Sequence, residues 1–80
     1  MHSSSHLGSQ AAYINLGFLY LSGEGTEKNL TEAAFWFTLS FREGNEEAQN
    51  RLNQVNAILS DSEKLELQEW LDQWSRRRFG

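Results

Sequence analysis

Eighty residues are enough for one domain, and with no cysteine to staple it the chain depends on helix packing or a partner for stability. The net charge of −4 withholds the basic surface that a nucleic-acid backbone demands. No apolar run reaches the roughly 18 residues of a membrane span, so neither nucleic acid nor membrane is an expected partner.

Proline is absent, which suits helices, and three tryptophans with five phenylalanines are many rings for so short a chain. The opening stretch Met1–Ser9 (MHSSSHLGS) is polar and lacks the basic and apolar regions of a signal peptide. It reads as an expression tag or disordered leader over residues 1–9. His2 and His6 lie inside it, and no metal site is expected from them.

The remainder, residues 10–80, is predicted to be a single all-α domain of about four helices. The first covers about 10–22, with Ser9 as its N-cap. Ala12, Leu16, Leu19 and Tyr20 share one face, and Ile14, Phe18 and Leu21 share another. A helix apolar on two faces must be covered on both. The turn SGEGTEKN follows, with Gly23 and Gly25 free to adopt positive φ.

Asn29 and Glu32 have capping-box spacing and open a second helix at about 30–43. Ala33, Trp36, Phe37, Ser40 and Phe41 form its stripe, while Phe35 and Leu39 stand off it. Gly44-Asn45 ends that helix and starts a third, at about 46–59, with Glu46 and Glu47 complementing its dipole. Ser60 and Glu63 repeat the box ahead of a fourth helix at about 61–77. There Leu67, Trp70, Leu71 and Trp74 fall at helical spacing, which favours a core role for the two tryptophans over a ligand cage.

Ala12 and Leu16 recur as Ala48 and Leu52, 36 positions further on, which is about the length of one helix-turn-helix repeat unit. Between them the chain carries Leu16-Gly17, Tyr20, Gly23-x-Gly25, Asn29, Ala33, Trp36, Phe37 and Gly44. This set closely resembles the Sel-one-like repeat family, relatives of the tetratricopeptide repeat. Thr26 and Leu30 depart from the family's usual residues, Phe41 is larger than usual, and the pattern dissolves after Leu52.

The resemblance implies an α-α superhelix, or solenoid, fragment: one full repeat and a C-terminal capping helix. In physical terms, Gly17 and Ala33 would let two helices approach while Tyr20, Trp36 and Phe37 fill the seam. The resemblance also implies a non-enzymatic protein-protein interaction scaffold, with the first helix of each pair lining the concave side. Carried onto this chain, that side is Ile14, Phe18 and Leu21, the candidate partner-binding residues. Their occupant is a protein or peptide, missing upstream repeats of a parent chain, or a second copy. Alternatively they pack on a neighbouring helix, and the chain is a structural cap without a ligand of its own.

Catalytic residues and cofactors are not expected. The predicted folded region has no histidine to activate a serine, no acidic pair in an evident cleft, and no phosphate loop after Gly23-x-Gly25.

Overall fold

A computed structural model describes residues 4–79, with side chains described over 11–77. Four α-helices follow one another: α1 (Ser4–Ser22), α2 (Leu30–Arg42), α3 (Glu46–Ile58) and α4 (Asp61–Phe79). No strand occurs among the described residues, so the all-α expectation holds.

Three of the helices begin at the expected residue. The first does not: α1 starts at Ser4 rather than Gln10, and Ser9 lies inside it instead of capping it. Once a helix is nucleated, another turn adds one hydrogen bond per residue fixed, so a proline-free leader can simply extend it. The expected leader falls on residues 1–3, which lie outside the described residues, and on the first residues of α1.

The helix ends are set by side chains that occupy orphan backbone groups. Asn29 accepts from the Glu32 amide at 3.1 Å, and Asn45 accepts from the Ala48 amide at 3.0 Å. Between α2 and α3 the chain makes a Schellman stop. The Gly44 amide donates to the Phe41 carbonyl at 2.9 Å, and the Asn45 amide to the Ser40 carbonyl at 3.1 Å. The motif needs a left-handed residue at Gly44, whose φ is 109°. One dipeptide thus ends one helix and caps the next, as its sequence foretold.

Helix α2 is the hub, since α1, α3 and α4 all pack on it. Its buried residues, among them Thr31, Ala33, Phe35, Phe37 and Leu39, point in several directions around its axis, as a surrounded helix requires. The seam with α1 is tight. A Cβ at Gly17 would lie 2.7 Å from Cε1 of Phe37, so the phenyl ring rests on bare backbone. Phe37 is fully buried, and Phe18 meets it edge-on with centroids 5.3 Å apart. Gly17 therefore clears space as expected, and the ring that fills this space is Phe37. Trp36 stands to the side, half-buried and stacked on Tyr13 at 5.8 Å.

Candidate binding cleft between α2 and α4

The residues expected to face a partner lie together but turn inward. Ile14 is buried in the core. Phe18 is held between Phe37 and Arg51, whose guanidinium carbon lies 5.6 Å from the phenyl centroid. Leu21 is half-buried against the same core. Of the three, Ile14 is buried, while Phe18 and Leu21 are each only half-buried. Phe18 packs on the neighbouring helices α2 and α3. On α1 the exposed side carries Ala12, Asn15 and Leu19 instead.

The open site lies elsewhere. Phe35 points away from the α1 seam and takes Trp70 and Trp74 of α4 edge-on, at centroid distances of 6.0 and 5.9 Å with interplanar angles of 85° and 83°. The two indoles stand nearly perpendicular to the phenyl ring, a favoured aromatic geometry. They come from positions one helical turn apart, which puts both on the same face of α4. Phe35 is buried, whereas Trp70 and Trp74 are each only half-buried. The three rings line a cleft of about 300 Å³ together with Glu32, Gln73 and Arg77. Such a volume lies at the small end of ligand clefts.

Two opposite charges edge this aromatic floor, and local structure explains why each is available. In a full capping box the third-position carboxylate reaches back to the N-cap amide. Ser60 and Glu63 make both halves: the Ser60 amide donates to Glu63 Oε1 at 2.9 Å, and the Glu63 amide donates to Ser60 Oγ at 3.3 Å. At Asn29 the return half is replaced, because the Asn29 amide donates to the Tyr20 carbonyl at 3.0 Å. Glu32 is thereby released from the return capping bond, and it lines the cleft. On α4, Arg76 pairs with Asp72 at 3.2 Å along the exposed surface, while Arg77 lines the cleft. Among the described residues no ion pair joins Glu32 to Arg77.

The sequence carried part of this signal. Phe35, which stands off the α2 stripe in the sequence, meets α4. Trp70 and Trp74 were read as core, and they are half core and half wall. A reading that paired Glu32 and Phe35, three apart on α2, with two tryptophans four apart on α4 could have found the site. It lacked only the knowledge that α4 returns to α2.

Among the described residues no group of three metal-ligating side chains gathers, and no helix is long and apolar enough to cross a membrane. No protein-family model matches the chain, and neither the curated proteins nor the solved structures give a match.

Proposed function

We propose that this chain is a non-enzymatic protein-interaction module, built as the C-terminal end of a Sel-one-like α-solenoid, and that it grips a partner segment in the α2–α4 cleft. The cleft carries the reading. Half-exposed indoles beside a buried phenyl ring form the apolar floor typical of interaction hot spots, with polar groups at the edge to fix orientation. The solenoid part rests on the joint spacing of Leu16-Gly17, Gly23-x-Gly25, Ala33 and Trp36. The close approach of Gly17 and Phe37 gives that spacing a physical use.

A peptide-display selection on the intact chain tests the binding role. The expected result is a set of enriched peptides whose binding drops when Trp74→Ala is introduced, with helicity by circular dichroism unchanged. Equal enrichment on both proteins removes the cleft from consideration.

A second reading has its own support. Helix α4 covers Phe35 through Trp70 and Trp74, so the chain is alternatively a structural cap whose partner is upstream repeats docked on Ala12, Asn15 and Leu19 of α1. Under that reading the selection returns nothing dependent on Trp74, and a chain extended by an upstream repeat protects α1 from hydrogen exchange.

A further inference from the structure

The cleft combines an aromatic floor with one acidic residue from α2, Glu32, and one basic residue from α4, Arg77. Apolar surface alone would accept any greasy side chain. The two charges narrow the choice, because each disfavours a like charge and leaves a neutral polar ligand without a full partner.

Electron-rich indole faces attract cations, arginine more often than lysine, and a nearby carboxylate adds a charge-assisted hydrogen bond. Trp70 and Trp74 are the indoles that line the cleft, and Glu32 is its acidic residue. A bare cation would also meet Arg77, so the matching ligand needs an anion on its other side. Gln73, on the same helix, adds an amide with both donor and acceptor. We propose that the cleft recognises a partner peptide through an arginine followed by an acidic residue, the guanidinium held by the two indoles and Glu32 and the carboxylate held by Arg77.

This deepens the binding role given above and rests on it, so the test must separate the two. The probes are four capped tetrapeptides: acetyl-Gly-Arg-Asp-Gly-amide and its versions with Gln for Arg, with Asn for Asp, and with both. Binding is read from the indole N–H signals of Trp70 and Trp74 in nitrogen-labelled full-length chain. Because the site is open to solvent, each charge should contribute roughly a threefold to fivefold gain in affinity, and the doubly charged peptide should lead the neutral one by roughly tenfold to twenty-fivefold.

The variants then divide the effect. Glu32→Gln should erase the preference for Arg over Gln and keep the preference for Asp over Asn. Arg77→Gln should do the reverse. Glu32 makes no return capping bond and Arg77 is exposed, so both chains should keep the helicity of the parent. Should Glu32→Gln nevertheless unfold, the Arg77→Gln arm decides alone. Equal affinity for all four peptides, or preferences untouched by the variants, overturns the proposal. If display selection enriches Trp74-dependent peptides with no basic residue, the charge assignment fails while the binding role stands. No indole shift with any peptide at millimolar concentration, together with an empty selection, removes both.

Discussion

Helix α2 has two aromatic contacts of opposite character. Toward α1, Phe37 is pressed on the bare backbone of Gly17 and has no exposure at all. Toward α4, Phe35 meets Trp70 and Trp74 edge-on, and the indoles stay half open beside a cleft. The first contact removes all of its ring surface from water and maximises dispersion contacts. The second keeps part of its apolar surface available and places charges near it. A closed seam supports the fold, and an open one is suited to binding. Phe35 and Phe37 are two residues apart, which turns their side chains toward nearly opposite sides of the same helix.

That contrast breaks most readily at its closed side. Phe37→Ala should cost about 3–5 kcal/mol, because it deletes a fully buried ring and leaves a cavity. Small domains hold roughly 0.05–0.15 kcal/mol per residue, so this is much of the total, and the melting transition should broaden or vanish. Trp74→Ala, at a half-buried position, should cost roughly half as much by area and leave a cooperative melt. Equal losses at both sites would show that the open contact is as structural as the closed one.

Gly17→Leu probes the same seam from the other chain segment. Its Cβ would fall within 2.7 Å of a ring that has no room to retreat, so the substitution should destabilise by about 1–3 kcal/mol in spite of leucine's better helix propensity. Combined with Phe37→Leu, it should cost less than the two single changes added together, since each relieves the other. Strict additivity in denaturant titrations would argue that Gly17 and Phe37 do not share one space.

Much of the closed region could be read from the chain, and the reasons are local. Asn29, Gly44-Asn45 and Ser60-x-x-Glu63 act within a few residues of themselves, so their capping bonds follow from spacing alone. Gly17 was legible because a glycine within a helical pattern needs a close neighbour to justify it. The direction in which Ile14, Phe18 and Leu21 point was not legible. Both faces of α1 are apolar, and periodicity cannot say which of two apolar faces meets α2. The tertiary contact decided it: the face with Ile14 is the one that buries against the core, while Leu19 is left 41% exposed. The cleft was hidden for a related reason, as Glu32 and Arg77 are 45 positions apart and join one site only when α4 folds back on α2.

The caps offer a smaller and cleaner measure of the local contribution. Asn45→Ala removes the acceptor for the Ala48 amide and should cost about 1 kcal/mol, or a fall in melting temperature of roughly 4–8 °C for a domain of this size. The Schellman bonds of Gly44 and Asn45 are made by backbone and survive the change, so α2 should keep its hydrogen-exchange protection while the first turn of α3 loses its own. Loss of protection in α2 as well would mean that the dipeptide couples the two helices more tightly than its bonds indicate.

Arg51 gives the smallest expected effect. Its guanidinium lies over Phe18, and a terminal nitrogen approaches Glu47 at 3.8 Å. These contacts favour the cation by about 0.5–1 kcal/mol and 0.3–0.5 kcal/mol respectively. Against them, Nε is buried without a hydrogen-bond partner, a condition that costs on the order of 1–3 kcal/mol when complete. Arg51→Met keeps an unbranched stem on Phe18, discards the charge and discards the orphaned nitrogen. The opposing contributions nearly cancel, so thermal melts of the two chains should agree to within about 0.5 kcal/mol. Arg51→Ala also strips the stem and should lose about 1 kcal/mol more by exposing Phe18. A loss with methionine as large as with alanine would show that the cation, rather than the hydrocarbon beneath it, closes the α1–α3 side of the seam.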